Sequence, residues 1–130
     1  MEEILSFKLV LLGEFGVGKS SLFYRYILSN NSKFEAIPSV QPQYATKTML
    51  FKDYNKSVKF DIRDTAGQEK YRALAKVFYR NCDGCLLIYD ICDKKSFEEL
   101  KNYWIPEIRS NHSNFNNIGK NKFIFIYSFK

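Results

Sequence analysis

The sequence predicts an α/β domain: a mostly parallel sheet with one antiparallel hairpin strand and helices on both faces. Three observations predict it. Residues 7–12, 85–89 and 123–127 are short, nearly continuous apolar runs of the kind that form strands covered on both faces. Stretches with apolar residues at helical spacing follow the first two of these runs. Residues 44–51 and 57–63 instead alternate apolar with polar, and the polar segment 52–56 between them reads as the turn of a hairpin.

Taken in order, residues 7–12 form the first strand and end in Gly13. Residues 19–28 supply a helix, with Leu22, Phe23, Tyr26 and Ile27 at helical spacing before Ser29, Asn30, Asn31 and Ser32 break the pattern. Residues 33–43 contain two prolines and no periodicity, which predicts a loop. The hairpin follows, with Val58, Phe60 and Ile62 on one face of its second strand, and then a helix over 71–79. After the strand at 85–89, Ser96 and Glu99 have capping-box spacing, so a helix is expected to start at Ser96. Phe97, Leu100, Trp104 and Ile108 form its apolar face, and Pro106 is expected to kink or shorten it. Residues 111–117 are rich in asparagine and serine and read as a loop before the last apolar run.

Composition narrows the function. At 130 residues the chain suits one domain, residues 1–130, and 45% hydrophobic residues are ample for a core. The formal charge of +6 is spread along the chain with no run of three basic residues, so nucleic acid is not an expected partner. Cys82, Cys85 and Cys92 bracket an apolar stretch and read as reduced core thiols. No segment has the length and apolarity of a membrane span, and the terminal Ser128, Phe129 and Lys130 offer no cysteine for a prenyl group. A cytoplasmic location without a membrane anchor in this chain is the expectation.

Two motifs carry the chemistry. Gly13 to Ser20 fits G-x-x-x-x-G-K-S directly after an apolar strand and at the opening of a helix. Glycines let the backbone curl so that amides from Phe15 through Gly16, Val17 and Gly18 to Lys19 face a polyphosphate, with the helix N-terminus adding partial positive charge. Lys19 then reaches the β- and γ-phosphates, and the Ser20 hydroxyl suits Mg²⁺. The second motif, Asp64-Thr65-Ala66-Gly67-Gln68-Glu69, follows the second hairpin strand. Asp64 there faces the magnesium water shell opposite Ser20, Gly67 lets its amide approach the γ-phosphate, and Gln68 is placed to orient an attacking water.

With Phe78-Tyr79-Arg80-Asn81-Cys82-Asp83-Gly84-Cys85 and the apolar strand after it, these motifs resemble the Ras superfamily of small GTPases, and most closely its Rab branch. The resemblance runs from about residue 7 to residue 109. It implies a P-loop small-GTPase fold and a GTP-hydrolysing switch in vesicle-mediated transport, with GTP/GDP and Mg²⁺ as ligands. Effector, exchange-factor and GTPase-activating proteins are the implied partners, through which the chain would reach vesicle membranes. It also implies roles: Phe15 to Lys19 for the phosphates, Ser21 for the α-phosphate, Ser20 and Asp64 for Mg²⁺, and Gln68 for the attacking water.

The chain departs from that pattern in several places. The magnesium-binding threonine of the first switch loop falls on Ser39 if the hairpin carries a two-residue insertion, and on Gln41 in an ungapped alignment; serine keeps the required hydroxyl. Pro42 stiffens this loop, and Phe34 is the nearest aromatic for the base edge. Phe15 stands where the family keeps a small residue beside the γ-phosphate, which predicts slow stimulated hydrolysis unless the ring turns out to solvent. Arg63 replaces the tryptophan that commonly contributes to the Rab effector surface. The guanine-reading Asn-Lys-x-Asp is matched only by Asn121 and Lys122, with Ile124 in place of the aspartate. A lost charged hydrogen bond of that kind costs roughly 1.5 to 3 kcal/mol. Residues 111–130 are thus expected to be a divergent segment of an incomplete domain lacking the last strand and helices of the fold.

Overall fold

The computed structural model describes residues 4–28, 43–65, 72–111 and 123–128. Five strands are present among them: β1 (Ile4–Leu12), β2 (Gln43–Phe51), β3 (Lys56–Asp64), β4 (Gly84–Tyr89) and β5 (Phe123–Ser128). They form one sheet in the order β2-β3-β1-β4-β5. Every neighbouring pair is parallel except β2 with β3. This is the expected mixed sheet, and the hairpin is the one sequence periodicity predicts. A 3-10 turn, Lys52–Tyr54, closes it, and Asn55 takes the left-handed conformation (φ 48°) that asparagine tolerates better than most residues.

The helices are α1 (Lys19–Leu22), α2 (Arg72–Tyr79), α3 (Lys94–Glu99) and α4 (Ile105–Asn111). Alternation along the strands sends side chains to two cores. Val10, Leu12, Cys85 and Leu87 face Tyr79 of α2 and Leu100, Trp104 and Ile108 of the later helical segment. Leu11, Ala45, Ile62 and Ile88 face Val17, Leu22 and Phe23. Helices therefore cover both faces, as the fully buried apolar runs require. Midway along β1, the Lys8 amide donates to the Asp83 carboxylate and the Asp83 amide to the Lys8 carbonyl, both at 2.8 Å. That pair of bonds fixes the entry into β4.

The second half of the chain departs from expectation in three respects. Asp93 caps α3, its carboxylate accepting from the Lys95 amide at 3.1 Å, so the helix starts two residues before the expected cap. Ser96 lies inside the helix, buried, and donates to the Asp93 carbonyl at 2.7 Å. Around Pro106, where a kink or a shortening is expected, the helical segment is distorted without ending. A π-helical stretch, Leu100–Trp104, widens the turn before it, and α4 continues to Asn111. A wide turn relieves the clash between a proline ring and the carbonyl of the preceding turn. Leu100, Trp104 and Ile108 are fully buried as predicted, whereas Phe97 is 37% exposed. Likewise Cys82 and Cys85 are buried and not in a disulfide, but Cys92 is exposed rather than part of the core.

Candidate functional site

The loop from Gly13 to Gly18 leaves β1 and enters α1 through three glycines with positive φ: 151° at Gly13, 78° at Gly16 and 102° at Gly18. L-residues with side chains rarely adopt these angles, so the path is written by the glycine spacing. Val17 anchors the loop by burying its side chain against Leu11 and Ile88. Phe15 is 61% exposed, so most of its ring is open to solvent. Of the expected phosphate-binding hydroxyls, Ser20 is half-buried and Ser21 exposed.

Lys19 is buried, only 3% exposed, and its ammonium donates to the Gly13 carbonyl at 3.0 Å and the Glu14 carbonyl at 2.6 Å. A cation held at the root of a glycine loop is a standing attraction for an anion. Asp64 ends β3, paired in register with Leu11 one strand away, and is completely buried. Next to it Thr65 donates its hydroxyl to the Leu11 carbonyl at 2.7 Å, tying the end of β3 to the end of β1. The structure thus brings the predicted Asp64 to the edge of the sheet where the loop begins. A serine hydroxyl and a carboxylate are hard oxygen donors of the kind Mg²⁺ takes, and the residues present fit that ion. Gly67, Gln68, Phe34, Ser39 and Gln41 lie outside the described residues.

The sequence profile of the Ras family matches residues 8–124. The chain belongs to the Ras family. Among its curated relatives are the Ras-related protein RabC of Dictyostelium discoideum, 40% identical over 108 residues, covering 83% of this chain and 54% of RabC. A probable Rab-related GTPase of Acanthamoeba polyphaga mimivirus is 37% identical over 105 residues, covering 81% of this chain and 47% of the relative. The Ras-related protein Rab-21 of Homo sapiens is 44% identical over 104 residues, covering 80% and 44%. The chain spans about half the length of the curated relatives it matches.

Within this Ras-family domain the loop is bonded sideways as well as inward. Glu14 accepts from the Arg72 guanidinium at 3.2 Å and from the Trp104 indole at 3.0 Å. Arg72, the first residue of α2, also donates to Glu99 at 2.6 Å and stacks 3.7 Å above the Tyr103 ring centre. Burial works against the Arg72 charge, but the Glu99 bond and the charges of Glu14 and Glu99 outweigh it, so its pKa is raised. Sequence reasoning missed this cluster, because its members lie far apart in the chain and share no periodicity.

Arg63 is exposed, its guanidinium carbon 5.7 Å from the centre of the Tyr44 ring. The two line a cleft of about 200 Å³ with Lys8, Asp61 and Val77. The Thr46 hydroxyl holds the Asp61 carboxyl below its usual range against the opposing effect of burial, with Tyr44 and Lys59 assisting. Among the described residues no helix is long and apolar enough to cross a membrane.

Ile124 pairs with Cys85 at the start of β4. Because β1, β4 and β5 run parallel, that pairing lies at the opposite end of the sheet from Gly13. Asn121 and Lys122 themselves lie outside the described residues.

Proposed function

We propose that this chain is a Rab-like switch domain that binds GTP or GDP with Mg²⁺, hydrolyses GTP, and acts with partner proteins in vesicle-mediated transport. The observation that carries this reading is the glycine-shaped loop with the buried Lys19 ammonium at its root and the buried Asp64 carboxylate one strand away. In it, loop amides from Phe15 to Lys19 hold the phosphates, with Ser21 at the α-phosphate. Lys19 neutralises the β- and γ-phosphates. Ser20 and Ser39 would hold Mg²⁺ directly and Asp64 through water, while Phe34 would pack on the base edge. When bound, the magnesium ion supplies charge neutralisation at the β- and γ-phosphate oxygens. Gly67 offers its amide to the γ-phosphate and Gln68 orients the attacking water. Rate enhancement in such a site comes from positioning and electrostatics, and a partner's arginine adds about 10³ to 10⁵.

The place of Ile124 in the sheet supports a second reading, a non-cycling module that presents Rab-like surfaces to partners. A guanine-reading element would have to reach the loop end of the sheet, and residue 124 sits at the other. One titration separates the two. GTP and ATP binding to this chain, each with Mg²⁺, is expected to show selective GTP binding for the switch. Negligible binding of both favours the module, and an ATP preference overturns both readings.

Phe15 offers a further test of the switch. Its exposed ring stands on the phosphate loop, where an activating protein must bring its arginine. With its ring open to solvent, a Phe15→Ser variant is expected to respond to a Rab-activating protein within about threefold of the wild type. Acceleration of the variant about tenfold beyond the wild type would show that the ring is an obstacle after all.

A further inference from the structure

The Glu14 cluster joins three parts of the fold that the phosphate chemistry does not by itself connect. Glu14 is the second residue of the loop, and both of its ends are engaged. Its carbonyl takes the Lys19 ammonium at 2.6 Å; its carboxylate takes Arg72 and Trp104. Trp104 is fully buried in the core under α2 and α4, so on that side the carboxylate is moored to a rigid element. On the other side it is moored to the first turn of α2, whose first residue comes four positions after Gln68 in the chain. Arg72 is in turn fixed by Glu99 at the end of α3 and by the face of Tyr103. A planar guanidinium can bridge two carboxylates while lying flat on an aromatic ring; an ammonium has no plane to stack.

We propose that Arg72 is a positioning residue for the phosphate loop: gripping Glu14 from the start of α2, it sets the carbonyl seat on which Lys19 rests. Displacing α2 then loosens Lys19, and filling the loop with polyphosphate steadies α2. By linkage the two effects are equal in size. The inference rests on the proposed phosphate binding, and it adds the route by which the start of α2 feels the loop's occupancy. A purely structural cluster would stabilise the fold and leave ligand affinity untouched.

The test uses the whole chain and inorganic tripolyphosphate with Mg²⁺, a probe that engages the loop without a base. Calorimetry on the wild type, Arg72→Gln, Glu14→Gln and the double variant gives affinities, and melting curves report on the fold. Each single variant is expected to bind about fivefold to tenfold more weakly, with the double variant no more than about twofold below the weaker single, as befits residues acting as a pair. Arg72→Lys should recover only part of the loss. Unchanged affinity in Arg72→Gln, or losses that simply multiply in the double variant, would overturn the proposal whatever happens to the melting temperature. If Arg72→Gln does not fold, Glu14→Gln and Arg72→Lys decide by the same criteria. A wild type that binds no tripolyphosphate overturns the phosphate-binding reading itself, and the positioning role with it.

Discussion

Replacing Lys19 with alanine is expected to weaken binding of GTP, GDP and tripolyphosphate by about a hundredfold to a thousandfold. The side chain is 3% exposed and its ammonium is already held by two backbone carbonyls, those of Gly13 and Glu14. Its position is thus set before any ligand arrives, and little further ordering is needed on binding. A charge-assisted hydrogen bond contributes roughly 1.5 to 3 kcal/mol, and one such bond from the remaining N–H, together with the attraction of the ammonium for a polyphosphate, accounts for the range. The fold should survive, because the variant removes a buried cation along with its need for partners. Titration with a fluorescent nucleotide, alongside a melting curve, measures both. Affinity within about threefold of the wild type would mean that the loop does not hold phosphate by this lysine.

The second large effect is expected at Gly13 and falls on stability. A Cβ built there clashes with the Ile88 carbonyl oxygen and meets the Ile88 carbonyl carbon at 3.2 Å, both backbone atoms of β4, the strand beside the central β1. Neither can swing aside as a side-chain tip would. The φ of 151° adds strain for any residue with a side chain. Gly13→Ala should therefore destabilise the domain by about 3 kcal/mol or more, with a fall in melting temperature on the order of 10 °C or outright failure to fold. Gly16→Ala is the internal control. It too has positive φ, 78°, but a Cβ there meets nothing within 4 Å, so only backbone strain of about 1 kcal/mol remains. Denaturant unfolding of the two variants compares them directly. Equal stabilities would refute the steric argument.

Where periodicity was strong, the sequence carried the fold in readable form. The alternation of residues 44–51 and 57–63 translates into the β2–β3 register, and the apolar run at 85–89 into a strand covered on both faces. The helical segment after β4 was harder to read for a definite reason. Two capping candidates stand three residues apart, Asp93 and Ser96. Ser96 falls where its side chain is enclosed by the turn, with its hydroxyl spent on the Asp93 carbonyl. Glu99, the other half of the supposed box, is engaged by Arg72 instead. Tertiary pairing decided the cap, and no local pattern encodes such pairing. Pro106 teaches the same lesson, since a π-helical turn absorbs it without ending the segment.

The site divides along similar lines. Gly13, Gly16, Gly18, Lys19 and Asp64 were legible because their spacing is itself the chemistry: a curled backbone, a cation at its root, a carboxylate at a strand end. Thr65 was legible in place, directly after Asp64, but not in role. Its bond to the Leu11 carbonyl depends on β3 lying beside β1, which only the folded sheet reveals. Arg72 and Glu14 looked like ordinary surface charges, and nothing in the chain indicates that one would hold the other.

The strand order has a consequence for synthesis. β2 and β3 are neighbours in sequence and join through a tight turn, but β1 must wait for partners made much later: Ile4 pairs with Ser57, and Leu12 with Leu87. Translation proceeds at about 5 to 20 residues per second. For several seconds the nascent chain therefore carries the apolar stretch Leu9, Val10, Leu11 and Leu12 without its sheet partners, and the phosphate loop it will support cannot yet take shape. The same residues that later bury the floor of the loop are, on the ribosome, an apolar segment open to aggregation.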